Sequence, residues 1–322
     1  MLTFAKKLRR ELNEGGFMPL NIPKNLPAVD ELKKENIFVK DSIEAANQDI
    51  RPLKIVILNL MPVKITTETD LIRLLSNSPL QIEIEFMQIS SHTSKHTPIE
   101  HMMAFYKSFD VLREKKYDGM IITGAPLEFM DYEEVTYWNE LTEIFDWART
   151  HVTSTLYVCW GAFASLYHFY GINKVMKDSK IFGVFEHKIL EPLNPIFRGF
   201  DDTFYVPHSR HCTLDKKDVE AVPDLKILAE GDVPGPYMMM ANNGREFFLT
   251  GHPEYSPYTL DTEYRRDLEK GLSIEPPINY YKDNDPEKGP QVRWRSYANL
   301  FYTNWLNYFV YQITPYDINL VK

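Results

Sequence analysis

What most constrains this 322-residue chain is an alternation of strand and helix patterns. "LKIVILNL" (53–60), "DGMIITG" (118–124) and "STLYV" (154–158) are short, apolar runs, as expected of strands covered on both faces. "LQIEIEFMQI" (80–89) alternates apolar and charged residues, the pattern of a strand with one wetter face. Helical patterns fall between them. "TTETDLIRLLSN" (66–77) opens with Thr and acidic residues and carries a Leu/Ile stripe, and Val135, Trp138, Thr142, Phe145 and Ala148 recur at helical spacing. "WGAFASLYHFYG" (160–171) ends on Gly171, a C-terminal stop, with Phe163, Leu166 and Tyr170 on its packed face. Strand–helix alternation implies right-handed crossovers and a parallel sheet. The expected fold class is α/β, a mostly parallel open sheet flanked by helices.

The alternation loosens after Gly171. "KIFGVFEHKIL" (180–190) reads as a strand, and "YMMMANNGREFFLTG" (237–251) as an inserted hairpin turned at Asn243-Gly244. Trp294, Ala298, Phe301, Trp305 and Tyr308 form a core-packing stripe on a long C-terminal helix after the polar loop "KDNDPEKGP". The pattern predicts a single domain over 18–322, with 18–52 as a Pro-containing N-terminal arm. Residues 1–17 are basic but lack an apolar signal segment. Glu14-Gly15-Gly16 can be encoded by a purine-rich run resembling a ribosome-binding site before Met18, so 1–17 reads as a leader or an over-called start, with a short genuine helix as the alternative.

A net charge of −9 argues against a nucleic-acid partner. No run approaches the roughly 18–20 apolar residues of a membrane span. Two cysteines, Cys159 and Cys212, make no disulfide framework and fit no zinc spacing, which points to a reduced, cytoplasmic protein without a bound metal. Cys212, with His208 and His211 nearby, falls in what reads as loop and needs no metal to explain it.

In an open parallel sheet, ligands collect at the carboxyl ends of the strands. Three segments lie there: "GAPLE" (124–128), "VCWG" (158–161) and "GHPE" (251–254). Cys159, between a strand and a helix, has the setting of a nucleophile on a sharp turn, with the Trp160 amide available to an oxyanion. The helix N-terminus favours thiolate, and Gly161 permits close packing at the bend. A buried structural cysteine is the competing reading. His252 and Glu254 shift the balance, because i and i+2 in extended backbone face one side. Thiolate, proton-carrying imidazole and an orienting carboxylate form a nucleophilic triad.

"MPLNIPKNLPA", "NLMPVK", "ITGAPLE", "YVCWGA", "VPHSRH" and "GHPEY" together resemble the homoserine O-acyltransferase family, over almost the whole length from Met18. The resemblance implies a class I glutamine-amidotransferase-like fold with a flavodoxin-like core, although Tyr157 stands where amidotransferases carry the first glycine of Gly-x-Cys-x-Gly and no synthetase domain is present. It implies Cys159 as acyl-thioester nucleophile, His252 as general base, Glu254 as its orienting partner, and Lys180, Ser209 and Arg266 as substrate-binding residues. Arg266 suits an amino-acid carboxylate, although Arg265 beside it could share that role. Lys64 receives no role.

Glu128 bears on the acyl donor. In this family a glycine at that place accompanies succinyl-CoA and a glutamate accompanies acetyl-CoA. Glu fills the space of the longer acyl group and would repel its carboxylate. The expectation is a cytoplasmic homodimer that transfers acetyl from acetyl-CoA to L-homoserine for methionine biosynthesis, with no permanently bound cofactor. The alternatives are a succinyltransferase, a glutaminase-type hydrolase and a degenerate metabolite sensor.

Overall fold

A computed structural model of the chain describes residues 20–22, 26–34, 40–41, 51–91 and 97–321. The expected leader 1–17 lies outside the described residues, as does most of the arm. The first half runs β1 (Leu20–Ile22), α1 (Ala28–Lys34), β2 (Lys40–Asp41), β3 (Leu53–Leu58), α2 (Lys64–Leu75), β4 (Ile82–Gln88), α3 (Ile99–Phe105), β5 (Tyr106–Ser108), α4 (Phe109–Leu112), β6 (Tyr117–Ile122), α5 (Trp138–His151), β7 (Val152–Val158) and α6 (Trp160–Tyr170). The second half runs β8 (Lys174–Ile189), β9 (Thr203–Leu214), α7 (Lys216–Glu220), β10 (Lys226–Gly231), β11 (Gly235–Ala241), β12 (Glu246–Leu249), α8 (Thr259–Glu269) and α9 (Arg295–Asn304).

One sheet has the order β2-β1-β4-β3-β6-β7-β12-β11-β10-β8-β9, with β5 also beside β4. Pairing is parallel from β2 to β12 and antiparallel from β12 to β9. In β4-β3-β6-β7-β12 the second strand lies first, followed by the first, third, fourth and fifth. That is the flavodoxin-like order, whose direction of winding switches between β3 and β6. The register aligns Ile122 with Tyr157 and Val158 with Leu249, so the segments after β6, β7 and β12 leave the sheet side by side.

Every residue of β6 and β7 is buried. Alternate side chains feed two cores. Ile57, Ile121, Leu156 and Leu249 pack with Leu71 of α2 and with Phe301 and Trp305. Leu58, Ile122, Tyr157 and Phe248 pack with Phe145 of α5 and Phe163 of α6. The helical stripes are the covers of a sheet that is apolar on both faces. Gly171 takes φ +68° and ends α6, as its position implies. The C-terminal stripe is core, but the helix widens to π geometry over Trp305–Tyr311, where the Trp305 indole packs at Gly119 and donates to Ser154 Oγ at 3.0 Å. The hairpin at Asn243-Gly244 joins β11 to β12.

His208 to Cys212 are not loop but the middle of β9, paired with β8. From His208 to Leu214 burial alternates, with His208, Arg210 and Cys212 inward. Among the described residues no helix is long and apolar enough to cross a membrane.

Candidate active site

Cys159 follows the last residue of β7 and caps α6 with φ +48° and ψ −119°, a conformation that costs a side-chain-bearing residue about 1–3 kcal/mol. Neighbouring backbone enforces it. The Cys159 N–H donates to the Leu249 carbonyl at 2.6 Å, and its own carbonyl accepts from Ala162 and Phe163 at 2.9 and 3.1 Å. Two glycines let the end of β6 cross this elbow. A Cβ at Gly161 would lie 2.7 Å from the Thr123 carbonyl oxygen, and one at Gly124 would lie 3.1 Å from Cys159 Cβ and 3.4 Å from the Trp160 nitrogen. The Trp160 and Gly161 amides are in the first turn of α6, where helical geometry supplies no partner. Bare space at Gly124 therefore faces an open donor beside the sulfur.

His252 and Glu254 meet, but not through extended backbone. The chain turns through Pro253-Glu254, with the Tyr255 N–H donating to the His252 carbonyl at 3.3 Å. A proline is compatible with such a turn, and the bend, not an extended i, i+2 pairing, brings the carboxylate to Nδ1, at 2.7 Å. The His252 N–H is anchored to the Pro207 carbonyl at 2.8 Å, and its ring stacks on Tyr255 with centroids 4.1 Å apart. Nδ1 is committed to Glu254, and Cys159 lies close enough for its charge to act on the ring. Burial disfavours a charged imidazole, but Cys159 and Glu254 outweigh it and hold His252 well above its ordinary range.

Lys180, Ser209 and Arg266 converge on two carboxylates that the sequence reading did not single out. Glu263 and Asp267 lie four residues apart on α8, so they share a face. Lys180 Nζ sits 3.7 Å from Glu263 and 3.5 Å from Asp267. Ser209 donates to Glu263, as does Tyr255 at 3.0 Å, which ties this charged group to the stack under His252. Arg266 is half exposed and bonds Asp267 at 2.8 Å. Arg265 pairs instead with Asp261, which Tyr281 also holds.

Glu128 is half-buried in the loop after β6. Lys174 and His211 lie close enough to feel its charge: burial lowers the proton affinity of both, and Glu128 partly restores it. Lys64 is buried, with Nζ donating to the Asn59 carbonyl at 2.5 Å, and burial brings it down to about 8. Burial pushes the Cys212 thiol up to about 12. Inward-facing Arg210, fully buried, donates to the carbonyls of Thr250 and Pro234 at 3.0 and 2.7 Å and also to that of Cys212. Among the described residues no group of three or more His, Cys, Asp or Glu is placed to hold a metal ion.

The constellation can support acyl transfer through sulfur: a strained cysteine, an imidazole held by a carboxylate, a first-turn helix amide and a charged group beside them. Among solved structures, a glutamine amidotransferase from Thermotoga maritima matches with a TM-score of 0.52 at 12% identity, covering 80% of this chain and 98% of that one. At that identity the likeness speaks for a class I glutamine-amidotransferase-like fold. A homoserine O-acetyltransferase of Bacteroides thetaiotaomicron is 69% identical over 305 residues, covering 95% of this chain and all of the relative. One of Acetivibrio thermocellus is 53% identical with the same coverage. The family model described as homoserine O-succinyltransferase matches residues 19–316, and with relatives of such identity over nearly the full length the chain belongs to this family of homoserine acyltransferases.

Proposed function

We propose that the chain is a homoserine O-acetyltransferase that works through an acetyl-thioester on Cys159. The carrying observation is Cys159 on its positive-φ elbow, within electrostatic reach of a His252 whose Nδ1 is held by Glu254. The Cys159 thiolate attacks the thioester carbonyl of acetyl-CoA, and the Trp160 amide donates to the oxyanion. The carbon–sulfur bond to CoA breaks, and the departing thiolate takes the proton from His252. L-Homoserine then enters with its carboxylate toward Arg266 and its ammonium toward Glu263 and Asp267, which Lys180 and Ser209 hold in place. His252 removes the γ-hydroxyl proton as that oxygen attacks the acetyl carbon, and the Cys159 thiolate leaves. Every proton and acyl group is returned or transferred, so no cofactor is consumed.

The names of the relatives support acetyl as the group carried, and so does Glu128, half-buried in the loop that follows Gly124. A negative charge there opposes a succinyl carboxylate by several kcal/mol. Succinyl transfer is the second reading, favoured by the description of the family model. Incubation with acetyl-CoA and no acceptor should leave one acetyl group on the peptide carrying Cys159. In wild type kcat/KM should favour acetyl-CoA over succinyl-CoA, and Glu128→Gly should narrow or reverse the ratio. An adduct elsewhere would sink the thioester mechanism, and a succinyl preference in wild type would sink the donor assignment.

A further inference from the structure

The carboxyl ends of β3, β4 and β6 enclose a cavity of about 310 Å³ to which the triad contributes no wall. Leu60, Met61, Ile89, Leu127, Met130 and Val135 give it an apolar lining, and Lys64, Gln88 and Thr136 add a few polar groups. It sits over the β3/β6 boundary, where the winding of the sheet switches and where open α/β sheets gather ligands. We infer that this cavity seats the pantetheine arm of the acyl-CoA donor, an inference that rests on the acetyl-CoA reading above.

The wall of the cavity is joined to the elbow that carries Cys159. The Leu60 N–H donates to Thr123 Oγ1 at 2.8 Å, and the Thr123 carbonyl packs against Gly161 of the elbow. Gly124 lies on Cys159, and the next residue, Ala125, already lines the cavity. Leu127 and Met130 flank Glu128, so a thioester threaded from here would bring its acyl group to Cys159 past the residue proposed to select it.

Chemistry divides the two sides of β7. Toward β8 and β9 lie Lys180, Ser209, Glu263 and Asp267, charges suited to a zwitterionic amino acid. Toward β3 and β4 the lining suits a thin chain of methylene groups and amides, with a few fixed polar groups to orient it. The volume is at the low end of the roughly 300–1,000 Å³ of small-molecule pockets, room for the arm while the nucleotide stays at the mouth. The wall is braced. Lys64 Nζ bonds the carbonyls of Asn59 and Met61 at 2.5 and 3.4 Å, and the Met61 N–H bonds Asn59 Oδ1 at 3.1 Å. The ammonium has a third N–H for an amide carbonyl of the arm.

Filling the cavity tests this. Met61→Trp should raise KM for acetyl-CoA about tenfold or more, with KM for homoserine unchanged. Its activity with S-acetyl-N-acetylcysteamine, a donor cut just past the first amide, should stay within about twofold of wild type. Gln88→Ala, a smaller change that does not threaten folding, should raise KM for acetyl-CoA a few-fold with the same selectivity. Equal losses with both donors, a rise in the homoserine KM instead, or unchanged KM for acetyl-CoA in both variants would overturn the inference. Calorimetry with CoA alone separates it from the function on which it rests. If wild type binds CoA and Met61→Trp does not, the pocket stands even where transfer to homoserine fails. If both bind alike, the pocket assignment falls while the acetyltransferase reading stands.

Discussion

Glu254→Gln removes the charge behind His252 and keeps the side chain's size. The carboxylate lies 2.7 Å from Nδ1, and its side chain is only 9% exposed, so solvent screens it little. A hydrogen bond to a charged partner contributes about 1.5–3 kcal/mol. In the proposed mechanism this one is strongest as His252 becomes imidazolium while taking the homoserine proton, so its loss should appear in kcat. At about 1.36 kcal/mol per tenfold, kcat should fall about 10- to 150-fold. The upper end is favoured because a Gln amide can donate to Nδ1, which leaves the ring proton on the nitrogen that must accept one. The pH profile supplies a second, independent sign. Burial lowers the proton affinity of His252, while Cys159 and Glu254 raise it by more. In the acetyl-enzyme Cys159 bears no charge, and Glu254 is the raising group that remains. The base must be neutral, so kcat falls as pH drops through the His252 value. Without Glu254 that value is lower, and the acid limb moves to lower pH even as the plateau falls. Measuring CoA release at saturating substrates across about pH 5.5–9 reads both effects. A kcat within threefold of wild type, or an acid limb displaced to higher pH, would refute the assigned role; a purely structural loss would lower the plateau and leave the limb in place.

Two further outcomes concern stability. Cys159→Gly should be about 1–3 kcal/mol more stable than Cys159→Ala in urea unfolding, the reverse of the usual order, because only glycine is at ease at φ +48°; equal midpoints would show that the elbow stores no strain. His187, held down to about 3 chiefly by burial, and His208, also depressed by burial, are stacked and stay neutral in the folded chain. The unfolded chain takes up protons below about pH 6.5 that the folded one refuses, so stability is full above that pH and falls below it by about 1.4 kcal/mol per pH unit for each histidine. His187→Gln should flatten that fall between about pH 6.5 and 4.5, and an unchanged slope would refute the account.

The parallel half of the site is legible in sequence for a physical reason. Cys159 and Gly124 are each fixed by the strand just before them, and those strands announce themselves as apolar runs because both faces are covered. The antiparallel half hides. β9 turns His208, Arg210 and Cys212 inward and leaves Ser209 and His211 partly exposed, so hydropathy reads it as loop. Its inward face is viable because carbonyls of Thr250 and Pro234, on the neighbouring segments, satisfy the buried guanidinium. A one-dimensional pattern carries no record of where acceptors will arrive from.

The same distinction explains the acceptor side. Ser209 finds Glu263 across 54 residues, and no local spacing marks either one. Arg265 and Arg266 are adjacent and chemically alike, so composition leaves them interchangeable. One residue along a helix is a rotation of about 100°, however, and that rotation sends Arg265 to Asp261 and Arg266 to Asp267. Asp267 also holds Lys180 and shares its helix face with Glu263, so Arg266 joins the charged group beside His252 and Arg265 does not. Which arginine joins that charged group is thus decided by the phase of α8 against β8 and β9, a property of how the elements pack and not of either side chain.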